Sequence, residues 1–208
     1  MANSRGITTF ILTLGFTALI FTACEPRPER ERVSEATPSP TVGVTPSPTG
    51  AASPTASPVA LTTAEKDFLA NAARGGMLEV QLGNLAAQKA SSDDVKQFGE
   101  RIATDHSQLG QKLQQLASNL NFPLPQDLKP EQQTLVSRLE KLAGKAFDRE
   151  YIKEMVNDHT KTISEFERAA HQATNVDIKQ FVSEALPTLR DHLKMAREIA
   201  VKLGVKTQ

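Results

Sequence analysis

The chain has 208 residues, 39% hydrophobic and 5% aromatic with no tryptophan, so any folded core must be mostly aliphatic. Its 24 basic and 24 acidic residues cancel, and no basic stripe of the kind that neutralises phosphates stands out, which argues against a nucleic-acid partner. Cys24 is the only cysteine, which excludes both an internal disulfide and a metal site built from thiolates.

The first 60 residues read as address and tether. After Arg5 the chain is apolar from Ile7 to Ala23, short of the roughly 20 residues that a membrane-spanning helix needs. Residues 1–23 therefore fit a secretory signal with small residues at its end. The stretch "FTAC" that closes it resembles a bacterial lipobox, which makes Cys24 the expected lipidation site and first mature residue. An uncleaved anchor, or an ordinary signal with a chance cysteine, is the alternative. Residues 25–60 hold eight of the twelve prolines, a repeated "TPSP" and almost no large apolar side chain. Such a segment cannot bury enough surface to fold. As a tether over 24–60 it would reach roughly 30 to 110 Å from the membrane.

From residue 61 to 208 the apolar pattern takes a 3.6-residue period with no strand-like alternation of any length. Thr62, with Glu65 three residues on, predicts a capped helix running to about Ala90. Ser91 or Ser92 opens a second, to about Asn119, and the prolines of "NFPLPQDLKP" end it. A short helix is expected from Pro130 to Ala143, with Gly144 after its end. A third long helix spans about Ala146 to Ala173, and Thr174 or Asn175 caps a fourth that ends near Gly204. The first–second and third–fourth connections are a few residues long and predict antiparallel hairpins. The connection between the hairpins is long enough to cross a bundle end to end. Two hairpins and one crossover carrying a short helix make an all-α, ferritin-like four-helix bundle. An internal repeat agrees: "DVKQF" begins at Asp94 and "DIKQF" at Asp177, 83 residues apart.

Three of the four histidines follow an aspartate, at Asp105-His106, Asp158-His159 and Asp191-His192. Each of these histidines interrupts the apolar stripe of a long helix near its middle, and Glu79 does the same in the first. Facing residues of an antiparallel hairpin are equidistant from its turn, so Glu79 should face His106, and His159 should face His192. With the two turns at opposite ends of the bundle, all four fall at nearly one level. Three imidazoles and a carboxylate suit a divalent transition metal such as Zn, Fe, Mn or Cu. Asp105, Asp158 and Asp191 lie about 100° around their helices from the neighbouring histidines. They could orient a histidine of an adjacent helix or add a ligand. The competing reading is a buried polar layer that fixes helix register without metal. Gly75-Gly76, one turn before Glu79, costs the first helix roughly 2 kcal/mol and suggests close packing or room at the site. His171 falls on a polar face, and Tyr151 is expected to pack rather than react. No nucleophile–base pair or glycine-rich phosphate loop is evident, so any chemistry would run through the metal.

The order "EVQLGNLAAQKA", "DVKQFGERIATDH", "FDREYIKEMVNDH" and "LPTLRDHLKMA" resembles the bacterial envelope family catalogued as domain of unknown function 4142. Members are often labelled candidate outer-membrane proteins. The resemblance covers about Leu61 to Leu203 and implies a ferritin-like fold and a cell-envelope location, but no activity. With the lipobox it implies a domain lipid-anchored to a membrane, the outer membrane favoured, facing the periplasm or cell surface. The Glu-x-x-His signature of di-iron ferritins is missing, which sets ferroxidase chemistry and iron storage aside.

Overall fold

The computed structural model describes residues 60–207. They form five helices: α1 Thr63–Lys89, α2 Asp93–Asn119, α3 Pro130–Glu140, α4 Gly144–Gln172 and α5 Val176–Lys202. No strand occurs among the described residues. The expected signal, Cys24 and the tether up to Val59 lie outside them. Helices α1 and α2 pair, as do α4 and α5; α2 packs on α5 and α1 on α4, and α3 lies against α1 and α4. This is the expected four-helix bundle with its crossover. No helix among the described residues is long and apolar enough to cross a membrane.

The helix boundaries follow local chemistry. Thr62 caps α1 through a reciprocal box with Glu65, and Asn175 caps α5 by accepting from the amides of Asp177 and Ile178. Two boundaries differ from expectation. α3 stops at Glu140 rather than Ala143, and Gly144 is not a residue beyond its end but the first residue of α4. At φ 59° it adopts the left-handed conformation that glycine tolerates, which turns the chain sharply into α4.

Two buried carboxylates tie the hairpins together. Glu65 of α1 accepts from the amides of Thr174 and Asn175, in the α4–α5 turn, at 2.8 and 2.9 Å. Asp148 of α4 accepts from the amides of Ser91 and Ser92, in the α1–α2 turn, at 2.9 and 3.0 Å. Glu65 and Asp148 are 83 residues apart, as are the turns they clamp and the repeated "D-x-K-Q-F". The start of each hairpin thus holds the turn of the other, which puts the two turns at opposite ends of the bundle. Burial alone would raise the Glu65 carboxyl, but the amides of Asn175, Thr62 and Thr174 hold it down to about 2.

The core divides in two. One cluster gathers Leu82, Phe98, Ile102, Tyr151, Met155 and Ile199; the other gathers Leu69, Leu113, Phe166, Ile178, Phe181 and Leu189. On α2 the break falls between Ile102 and Leu113, on α4 between Val156 and Ile163, and on α5 between Leu189 and Ala196. His106, His159 and His192 occupy those breaks. A polar layer therefore separates two aliphatic half-cores.

Candidate metal centre

The helical period places each histidine on an inward stripe. His106 continues Val95, Phe98 and Ile102; His159 follows Ile152 and Met155; His192 lies between Leu189 and Ala196. His159 and His192 are 0% exposed and His106 is 6%. Their ring centroids form a nearly equilateral triangle: His106 to His159 is 5.7 Å, His106 to His192 is 5.3 Å and His159 to His192 is 5.3 Å. One nitrogen from each ring lies within 4.8 Å of the other two.

The hydrogen bonds fix two of the three tautomers. Nδ1 of His159 lies 3.0 Å from the Met155 carbonyl oxygen, which can only accept, so Nδ1 carries the proton. Nε2 of His192 lies 2.9 Å from Oδ2 of Asp105. Burial works to raise the Asp105 carboxyl, but hydrogen bonds from Arg101 and His192 outweigh it and hold the group below its ordinary range. Asp105 is therefore a carboxylate acceptor, and Nε2 of His192 is the donor. Nε2 of His159 and Nδ1 of His192 are then both left with bare lone pairs. These two atoms face each other at 3.3 Å. Two lone pairs at that distance repel unless a proton or a cation lies between them. A shared proton is disfavoured, because burial and then the charge of His192 push His159 down to about 4, and burial also lowers His192. A tetrahedral ion with nitrogen ligands at 2.0–2.1 Å has N···N edges of about 3.3–3.4 Å, the separation found here. Nε2 of His106 is buried with no hydrogen-bond partner, and burial followed by the charges of His159 and His192 pushes this histidine down to about 3. The three rings are thus neutral donors converging on one point, and the group could hold a metal ion.

A second group shares His159. Glu79, Asp158 and His159 each offer an atom within 4.8 Å of the others, and Oε1 of Glu79 is 3.8 Å from Nδ1 of His159. Glu79 is 1% exposed and no donor reaches either of its carboxyl oxygens. Burial, then the neighbouring charge of Asp158 and a hydrogen bond to that carboxylate, raise the Glu79 carboxyl well above the ordinary range, so it keeps its proton and can donate to Asp158. The Tyr151 hydroxyl is also buried without a partner; burial, and then the charge of Glu79, raise it well above its ordinary value. These unpartnered oxygens are costly unless a ligand or cation meets them.

The expected site residues separate accordingly. His106, His159 and His192 come together, and His159 faces His192 as the hairpin symmetry requires. Glu79, expected to face His106, groups with Asp158 and His159 of α4. Asp105 orients His192 from a neighbouring helix, the role open to it from its position in the sequence. Asp158 lies within ligand distance rather than behind the ligands. Asp191 does not join: it is exposed on α5, and its side chain makes no hydrogen bond with a site histidine. Arg101, which no motif singles out, donates from Nε to Asp105 at 2.6 Å from one helical turn away. The Arg-x-x-x-Asp spacing was the available signal. His171 is exposed, and Tyr151 packs in the core, stacked on Phe147 with ring centroids 5.6 Å apart.

Among solved structures, the bundle is similar to a DUF305 fragment from Deinococcus radiodurans at 14% identity and a TM-score of 0.60, covering 69% of this chain and 97% of that one. It is similar also to a DUF305 protein from Streptomyces coelicolor, described as a candidate secreted protein, at 12% identity and a TM-score of 0.60, covering 71% and 99% of the two chains. At these identities the likeness shows the helical-bundle fold alone. No curated protein matches the chain. The model of one family matches residues 50–199, and the chain accordingly belongs to the family described as domain of unknown function, DUF4142.

Proposed function

We propose that the bundle binds a divalent transition metal ion through His106, His159 and His192. The carrying observation is the 3.3 Å contact between Nε2 of His159 and Nδ1 of His192, two nitrogens whose partners have already taken their protons. Glu79 and Asp158 lie beside His159, and Asp105 orients His192. Three nitrogen ligands leave a fourth position open, and an all-imidazole set ranks metals by intrinsic affinity, Cu(II) tightest, then Zn, Fe and Mn. The domain works in the cell envelope: residues 1–23 direct export, Cys24 carries the lipid anchor, and residues 24–60 tether the bundle to a membrane, the outer membrane favoured. Membrane lipid is its expected partner and nucleic acid is not. Titration calorimetry of the protein with Zn(II) and Cu(II) tests the ligand set. One site per chain is expected, weakened roughly tenfold or more by alanine at any of the three histidines. Heat unaffected by all three substitutions contradicts it.

A second reading has an observation of its own. Asp105 and the Met155 carbonyl satisfy one nitrogen each of His192 and His159 from within the protein, as a register-setting layer would. It leaves Nε2 of His106 and the carbonyl oxygen of Glu79 unexplained.

A further inference from the structure

A cavity of about 490 Å³ enters the bundle and ends on the polar layer. His106, His159, Glu79 and Asp158 line its inner part; Leu109, Leu113, Phe166 and Leu189 contribute apolar wall. Its volume is in the range of pockets that hold small organic molecules.

Three helical glycines border this cavity, Gly75 and Gly76 on α1 and Gly110 on α2. Each weakens its helix relative to alanine. Close packing does not account for them, because a Cβ at any of the three would meet nothing within 4 Å. Gly83 and Gly99 show what packing glycines look like. A Cβ on Gly83 would come within 2.5 Å of the Gly99 carbonyl oxygen, and one on Gly99 within 2.6 Å of Ala86 Cβ. Backbone conformation does not require the other three either, since the positive-φ glycines among the described residues are Gly144 and Gly204. What Gly75, Gly76 and Gly110 share is that a side chain there would narrow the cavity.

The lining says what would fit. No lysine or arginine borders the cavity, so an organic anion finds no counter-charge from side chains, and acidic Glu165 and Asp158 oppose one. Glu79 lies at the inner part with no donor reaching its carboxyl, so its carbonyl oxygen is free to accept from a ligand N–H or O–H. Resting on the reading of a metal at the histidine triangle, we propose that this cavity is a binding site for an uncharged molecule with an apolar body. Its head group carries a lone pair for the open metal position and an N–H or O–H for Glu79, as an azole or alcohol does.

The test uses Co(II), whose visible spectrum reports a change of ligand, and two probes kept neutral by working at about pH 8, imidazole and 4-phenylimidazole. Each is titrated into the Co(II)-loaded protein. The phenyl group should tighten binding at least tenfold over imidazole. Gly110→Leu puts a side chain on the cavity lining from an exposed helix position and should keep the Co(II) spectrum while losing that preference. Gly110→Ala should fall between the two and guards against misfolding of the larger variant. Equal affinity for the two probes in the unaltered protein, or an undiminished preference in Gly110→Leu, overturns the proposal while leaving the metal reading intact. Failure of the unaltered protein to take up Co(II) overturns the metal reading and this proposal with it.

Discussion

Asp105 on α2 accepts from Nε2 of His192 on α5 at 2.9 Å, and this contact decides which nitrogen of His192 points at the other histidines. Replacing Asp105 with alanine frees the ring to take either tautomer. Metal affinity should fall roughly 10- to 100-fold, as for other partners that orient a ligand from behind. Asparagine keeps an acceptor oxygen and should lose less. Competition titrations with a chromophoric chelator measure both; an Asp105→Ala variant that binds as tightly as the parent would remove Asp105 from the site.

Leucine at both His159 and His192 separates a metal layer from a register layer. The paired exchange joins the two aliphatic half-cores, and an apolar layer often replaces a buried polar one at little cost or with a gain of about 1–4 kcal/mol. Urea melts of the metal-free variant should therefore match or exceed the parent, while the stabilisation that added metal gives the parent disappears. A variant that still gains stability from metal contradicts the ligand assignment.

The buried groups predict a particular pH profile for the metal-free protein. His106 and His159 titrate in the fold at about 3 and about 4, and His192 is also lowered, whereas an unfolded histidine titrates near 6.5. Below pH 6.5 the unfolded chain takes up protons that the fold refuses, so each such histidine lowers stability by about 1.4 kcal/mol per pH unit down to its folded value. Glu79 acts the other way. Its folded value is raised, so above about 4.5 the unfolded chain releases a proton that the fold keeps. Three histidines outweigh one carboxyl, and the melting temperature should climb from pH 5 to 6.5. Above 6.5 the histidine contribution levels off, and the Glu79 effect turns the curve downward by about 1.4 kcal/mol per pH unit until its folded value is passed. Melts at half-unit intervals from pH 5 to 8 give the profile; a maximum near pH 5.5 would mean that the histidines are cations in the fold.

The two clamps should behave alike. Removing the side chain of Glu65 or Asp148 strands two turn amides away from their acceptor, and each substitution to alanine should cost about 2–4 kcal/mol. Because they hold opposite ends, the double variant should lose close to the sum. Glu65 adds an acid sensitivity of its own: with its folded value at about 2, its contribution is present above the unfolded value of about 4.5 and is lost as pH falls toward 2. Chemical denaturation of the two single variants and the double measures this; strong non-additivity would mean that the ends communicate.

Much of this was legible in the sequence because it depends on period and spacing. The Thr62–Glu65 box, the hairpin turns, the crossover and the level of the three histidines all follow from residue positions along helices. Glu79 shows where spacing stops: equidistance from a turn pairs residues within one hairpin and says nothing of Asp158 and His159 on α4, with which this side chain groups. Asp191 shows the same limit: a 100° step from an inward histidine leads toward a neighbouring helix for Asp105 and toward solvent for Asp191. The clamp at Asp148 carried a signal, its 83-residue offset from Glu65, but it appears only once the hydrogen bonds at both turns are known. The Met155 carbonyl that fixes the His159 tautomer belongs to the backbone, and no side-chain pattern announces it.

The most direct measurement is elemental analysis of the protein, purified without chelators or a polyhistidine tag and then offered Zn, Fe, Mn and Cu in turn. The three-histidine centre predicts about one tightly held ion per chain after desalting, falling to near zero in a variant with alanine at His106, His159 and His192. Metal content near zero for all four metals in the unaltered protein, or the same content in the triple variant, would contradict it.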